Sequence, residues 1–432
     1  MRSSLVKTWV AAALVTPLLA ACTGGSPAGS SSSSDSDQAT GAAAKSIRYL
    51  VEQPEDPATL KKLDAHLQTF EKSSGITVEL KAMPQDSMRT ILQTQLRSGD
   101  GPDVFNWGSG PGFAGALAKA GLLHDLTKDY TTYKWPVYDF AKERVTFDGK
   151  TYGVPGEMET IGLFYNKDLF AKLGIAAPTN LTELQAAATK IRAAGVTPMA
   201  VSDKEGWQGG HLLSMALSSE VGSQGMTDLI SGKKSWDSPE VVRALQLWAD
   251  LEKSGDLPKS PTSVGYDNAN ALFYSGDAAM VPTGSWLVTE LDKNADFKVG
   301  YIPFPAPDGP GIFTGGLGSG PFISAGTKKL DASTKLVDFL ASSEHAKWTV
   351  ENLSTIPPQP VATKGLKVSP LFARVLKDVS KLSDGSADFG YNIDVMTSDV
   401  FNQAMYDGVQ GILSGQSSAD DVAKTLQAAS KK

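Results

Sequence analysis

This 432-residue chain predicts an α/β fold in two units, on three observations. Short apolar strands alternate with striped helices from residue 46 onward, a second such set begins near residue 160, and the length allows two or three domains of roughly 150 residues. With 41% hydrophobic and 20% charged residues, the chain can bury a large core and shows no bulk sign of disorder. The 47 acidic against 40 basic residues leave a net charge of −7, which argues against a nucleic-acid binder, whose affinity needs clustered cations.

Ile47 to Val51 reads as a strand, and Leu60, Leu63, Leu67 and Phe70 mark one face of a helix stopped at Gly75. A second strand, Ile76 to Leu80, leads to a helix striped by Met88, Ile91, Leu92 and Leu96 and ended by Gly99. Pro102 to Trp107 is the third strand. This β-α-β-α-β run predicts a parallel sheet. Asp148-Gly149, between Val145 to Phe147 and Lys150 to Val154, is a type I′ hairpin pair. The second set comprises a strand at Thr160 to Asn166, a helix with Asn180 as N-cap, a strand at Val196 to Val201, and a helix capped by Ser238 with Pro239 at N1. Two such units predict a cleft at the carboxyl ends of the strands.

The N-terminus points to export. Arg2 and Lys7 precede an apolar stretch from Trp9 to Leu19, the length of a signal h-region and short of the ~20 residues that span a bilayer. Leu19-Ala20-Ala21-Cys22 contains the only cysteine, so no disulfide is possible, and the motif resembles the bacterial lipobox, which implies a lipidated Cys22. Residues 1–21 are then a signal peptide and 22–45 a Gly/Ser-rich tether.

Other motifs say less. Gly110 to Gly115 fits G-x-G-x-x-G, but no acidic residue ends a following strand where a ribose would need it. Gly149-Lys150-Thr151 has Arg144 where a P-loop needs its first glycine. His66, His124, His211 and His345 are far apart in sequence and form no metal motif, so they are read as structural or surface residues, and neither metal nor cofactor is expected. Glu157 and Glu159, about 6.5 Å apart in an extended segment, could form the carboxylate pair of a glycosidase. Trp107 at a strand end, Trp207 in a loop-like glycine-rich stretch and Trp286 after Thr283-Gly284-Ser285 offer flat apolar faces for a pyranose, with polar neighbours for its hydroxyls. Together they favour a neutral sugar.

Gly99 to Trp107, Tyr152 to Pro155 with Leu163 to Phe170, Gly276 to Met280 with Gly284 to Trp286, and Gly300 to Pro305 occur in an order that resembles the family 1 extracellular solute-binding proteins of carbohydrate ABC importers, the group that includes the maltose-binding protein. The resemblance covers nearly all of the chain after about residue 46. It implies a two-lobe, periplasmic-binding-protein-like fold of type II, with discontinuous lobes at 46–156 with 320–356 and 157–319 with 357–432. A hinge is crossed three times, near Gly156 to Thr160, Gly315 to Gly320 and Ile356 to Pro360. Position by position it implies ligand contacts from Trp107, Glu157, Trp207 and Trp286. Glu52, Gln53, Gln85, Asn106 and Asp394 are added as polar rim groups by analogy of location. Gly108-Ser109-Gly110 stands where the maltose-binding protein carries an acidic ligand residue, so maltodextrin itself is not implied.

The expected activity is capture of a sugar or oligosaccharide by a lipid-anchored, monomeric, non-enzymatic protein, which delivers it to the transmembrane subunits of an ABC permease at the extracellular face of a membrane. Thr23 after Cys22 suits a Gram-positive cell surface. The alternatives are a lipid-anchored glycosidase using Glu157 and Glu159, and a polysaccharide-holding adhesin.

Overall fold

In the computed structural model, β1 (Ser46–Glu52) runs through the centre of the first of two main sheets, and residues 45–54, 56–362, 365–383 and 389–431 are described. The signal segment, Cys22 and the tether up to residue 44 lie outside the described residues. β2 (Thr77–Met83) pairs parallel with β1 along its whole length, and β3 (Val104–Trp107) pairs parallel on its other edge. The helix Pro57–Ser74 connects the first two. Asp56 caps it by accepting from the Ala58 N–H, Pro57 occupies the first turn, and Gly75 ends it in the left-handed conformation. The helix Gln85–Ser98 buries Met88, Leu92 and Leu96, each contributing about 1.5–3 kcal/mol of transfer free energy. Alternation on β1 sends Ile47, Tyr49 and Val51 to one core and Leu50 to the other, so both sheet faces are covered.

The hairpin β4 (Thr146–Phe147) and β5 (Lys150–Thr151) turns at Asp148 and Gly149, both with positive φ, as the type I′ pair requires. The second main sheet departs from a repeated parallel unit. Its spine, β6 (Met158–Asn166), is antiparallel to β8 (Ala278–Gly284), β9 (Val299–Ile302) and β10 (Phe313–Leu317). β7 (Thr197–Met199) lies beside β8, not β6. β11 (Gly320–Ile323) returns to the first sheet, antiparallel to β3, and β12 (Phe389–Tyr391) joins the second beside β10.

The chain thus passes from the second sheet to the first through Gly318 and Ser319 alone. Alongside, the Met158 N–H donates to Ile356 O at 2.6 Å and the Val154 N–H to Pro321 O at 3.1 Å, so three connecting segments run side by side. Glycine is required there: a Cβ on Gly156 would stand 2.3 Å from Gly318 O, and one on Gly320 2.1 Å from Val154 O.

Two local expectations need correction. Trp207 does not sit in a loop; it opens a helix, Trp207–Ile230, interrupted at Gly222. Gln208 to Ser218 are buried except His211, and an all-round buried helix with small residues shows no stripe. Ser238 stands at the N-cap of the helix Pro239–Lys253, but its hydroxyl makes no cap hydrogen bond. Pro111–Gly115 forms a wide helical turn, and a Cβ would lie 1.8 Å from Val395 O on Gly110 and 2.8 Å from Thr397 O on Gly112, so these two glycines admit a close approach of the segment 395–397.

Candidate functional site

Glu52 is the last residue of β1, at the carboxyl end of the parallel strands, where open α/β sheets place ligands. Its Oε1 accepts from Ser319 Oγ at 2.5 Å and from Gln85 Nε2 at 3.3 Å. Gln85 reaches it because it opens the helix that follows β2. Asn106, on β3, accepts at 2.7 Å from the Tyr49 hydroxyl. Trp107 is packed against Gly320 and, edge-on at 5.9 Å, against Phe113; it is only 7% exposed, and its indole N–H is buried with no partner. Gln53 is not part of this group: it is exposed, and its amide reaches only Pro54 O.

Glu157 and Glu159 flank the start of β6 and converge on Gly318, where a Cβ would lie 2.9 Å from Glu157 Oε1 and 2.5 Å from Glu159 Oε1. Burial is the main cause that pushes Glu157 up to about 7, with Glu52 adding like-charge repulsion. Burial also pushes Glu159 well above the usual carboxylate range, reinforced by Glu157, Asp394 and Glu52. Glu52 is raised by burial, against the opposing hydrogen bonds and the more distant Arg89. Glu157 also lines a cavity of about 160 Å³ bordered by all three connecting segments.

The other half of the site is aromatic. Trp207 and His211 are one helical turn apart, with ring centroids 5.1 Å apart, and Trp207 lies 5.0 Å from Tyr266. The Trp286 N–H donates to Tyr266 Oη at 2.7 Å, and its ring lies 5.4 Å from His211. His211 Nε2 is 3.2 Å from Asn392 Nδ2 and 3.8 Å from Asp394 Oδ2. Burial lowers its pKa, so it is neutral at pH 7. Asp394 Oδ2 accepts from the Tyr406 hydroxyl at 3.1 Å, while its buried Oδ1 has no partner. With its side chain 12% exposed, His211 is not a surface histidine.

The structure gathers Glu52, Gln85, Asn106 and Glu157 at the junction with the first sheet, and Trp207, Trp286 and Asp394 around His211. Sequence reasoning missed His211, Tyr266, Asn392 and Tyr406. For His211 the signal was its i+4 spacing from Trp207, legible only once a helix is recognised there. Among the described residues no group of three or more His, Cys, Asp or Glu is placed to hold a metal, and no helix is long and apolar enough to cross a membrane.

Two mixed α/β halves joined by short parallel links define a two-lobe, periplasmic-binding-protein-like fold, and solved structures share it. One, from work on xylan utilization by Caldanaerobius polysaccharolyticus, superposes with a TM-score of 0.80 at 22% identity, over 89% of this chain and 99% of that one. A chitin oligosaccharide binding protein gives 0.79 at 23% identity, over 90% and 98%. The chain belongs to the bacterial extracellular solute-binding proteins, whose family model matches residues 52–347. Among curated relatives, the multiple sugar-binding protein of Streptococcus mutans is 29% identical over 372 residues, 82% of this chain and 81% of that protein.

Proposed function

We propose that this protein is the substrate-binding component of a carbohydrate ABC importer and captures a sugar or oligosaccharide between its lobes. The observation that carries the reading is the pairing of an aromatic wall, Trp207, Tyr266 and Trp286, with the half-buried carboxyl groups of Glu52, Glu157 and Glu159 beside the connecting segments. The family membership and the sugar-binding relative support it. The proposed contacts are Trp207 and Trp286 for stacking, with Glu52, Gln85, Asn106, Glu157 and Asp394 for hydroxyls. Gln53, which faces solvent apart from the group, and Trp107, which is nearly buried, are the weakest of the proposed contacts.

In this reading the lobes are 46–156 with 320–356 and 157–319 with 357–432, and the three side-by-side links form the hinge. Sugar contacts made to both lobes stabilise the closed form, which the transmembrane permease subunits recognise. Cys22 carries the lipid that holds a monomer at the outer face of a Gram-positive cell membrane, and no covalent chemistry on the sugar is required.

Thermal unfolding of the purified protein across a sugar panel tests this, with each hit assayed for products. A ligand at 100 times its dissociation constant stabilises by about 2.7 kcal/mol. An unconsumed stabilising sugar supports the reading. A hydrolysed one replaces it with a glycosidase, and a panel without any shift removes the carbohydrate assignment.

A further inference from the structure

We propose that Arg89 and Arg144 form a clasp between the two halves of the molecule, which sets the closed fraction of the protein and through it the affinity for sugar. This adds two positioning residues to the binding reading above and rests on its premise that the halves close on one another.

Each arginine is anchored in one half and rests on a ring of the other. Arg89 stands on the helix Gln85–Ser98 beside Met88, which is buried with Leu92 and Phe113 in a core of the first sheet. Its guanidinium carbon lies 4.8 Å from the centre of the Phe113 ring and 5.6 Å from that of Tyr406. Tyr406 belongs to the helix Asp399–Leu413 and to a core of the second sheet. Arg144 precedes Val145, a residue of the first core, and its carbonyl accepts from the Gly110 N–H at 2.8 Å. Its guanidinium carbon lies 5.9 Å from the ring of Tyr391, on β12 of the second sheet.

Both cross-half distances fall within the ~6 Å over which a ring attracts a cation, and a planar guanidinium suits a ring face better than an ammonium does. Among the described residues, the arginine ion pairs involve Arg48, Arg192, Arg243 and Arg374, so no carboxylate ties Arg89 or Arg144 elsewhere. Burial raises Glu52 on β1 and Asp399 at the start of the second helix, and the Arg89 charge counters it at both, one carboxyl on each half. A notch of about 370 Å³ is walled by Arg89 and Thr90 on one helix and by Asn402 and Tyr406 on the other, so its shape exists only while the two helices stand side by side.

The contact reaches the site from both ends. The Tyr406 hydroxyl donates to Asp394 Oδ2 at 3.1 Å, and Phe113 packs edge-on against Trp107 at 5.9 Å. Arg89 thus stands between a proposed sugar contact of one half and one of the other. An apparent dissociation constant is the intrinsic one divided by the competent fraction, so loosening the clasp weakens binding without removing a sugar contact.

Spin labels test this without any sugar. Cys22 is the only cysteine, so the Cys22→Ser chain takes labels at Thr94→Cys and Asp407→Cys, exposed positions on the two helices. Pulsed electron paramagnetic resonance then reads the distance between them. The expected result is a short-distance population whose ratio to the longer one falls by about threefold in Arg89→Ala, falls further when Arg144→Ala is added, and is partly restored in Arg89→Lys. Tyr406→Phe, which keeps the ring, is expected to leave the distribution as it is. Identical distributions in the parent and the double alanine variant overturn the clasp and leave the carbohydrate reading standing, because no sugar enters the experiment. A shift in Tyr406→Phe as large as in Arg89→Ala overturns the ring as the seat of the cation.

Discussion

The two halves of the cleft are built by different means. Toward the first sheet, Glu52 accepts from Gln85 and Ser319, and Asn106 accepts from Tyr49, so polar side chains are paired by hydrogen bonds. On the side of the second sheet, Trp207, Tyr266, Trp286 and His211 form a cluster of rings with Asp394 at its edge. One half fixes orientation through donors and acceptors, and the other offers contact area. A ligand satisfied by only one half gains little from closure, which is how a two-lobe receptor couples recognition to shape.

The largest effect that sharpens this contrast concerns stability without ligand. Glu157 keeps its proton up to about pH 7 in the fold but loses it near 4.5 when unfolded, so the folded state binds more protons in between and stability falls as pH rises through that window. The loss is on the order of 3 kcal/mol and is complete above the folded pKa. Melting temperature followed from pH 4 to 8 is expected to decline in the native protein and to decline less steeply in Glu157→Gln, where Glu159 and the buried Asp203, raised to about 8, still add to the slope; parallel profiles for the two would refute a raised Glu157.

The aromatic half is broken by Trp286→Ala, which removes a half-buried indole and its hydrogen bond to Tyr266. Affinity for the preferred sugar should drop by about 30-fold, or 2 kcal/mol, with the melt of the empty protein changed far less. An affinity within threefold of native would deny the ring any role in stacking.

The smallest effect tests whether the halves must meet. A Cβ on Gly110 would run into Val395 O, and one on Gly112 would lie 2.8 Å from Thr397 O. Gly112→Ala, whose backbone is not in the left-handed region as that of Gly110 is, should therefore hold the two segments slightly apart and weaken sugar binding by roughly tenfold, with a larger radius of gyration for the loaded protein in small-angle scattering. Unchanged scattering and affinity would show that this contact is incidental to closure.

Much of the first lobe is legible because it obeys local rules: Asp56 and Gly75 bracket one helix, Gly99 ends another, and alternation on β1 divides two cores. Legibility fades where tertiary context replaces local pattern. The helix from Trp207 is buried on most sides and rich in glycine and serine, so it reads as a loop. β6 gives no sign in its own residues that it will run antiparallel to β8, β9 and β10, because strand direction depends on partners more than a hundred residues away. In the site, glutamates and tryptophans stand out by type and motif. Tyr266, Asn392 and Tyr406 carry no such mark and acquire their positions only through packing around His211 and Asp394.

The two-residue passage from β10 to β11 has a mechanical consequence. Ser319 in that link holds Glu52, Gly318 makes room for Glu157 and Glu159, and Glu157 itself belongs to the neighbouring link. In the proposed binding mode, recognition and bending are therefore not separated by a lever arm. A molecule that engages these carboxylates touches the pivot, so its grip changes the stiffness of the joint as well as the angle at which it rests.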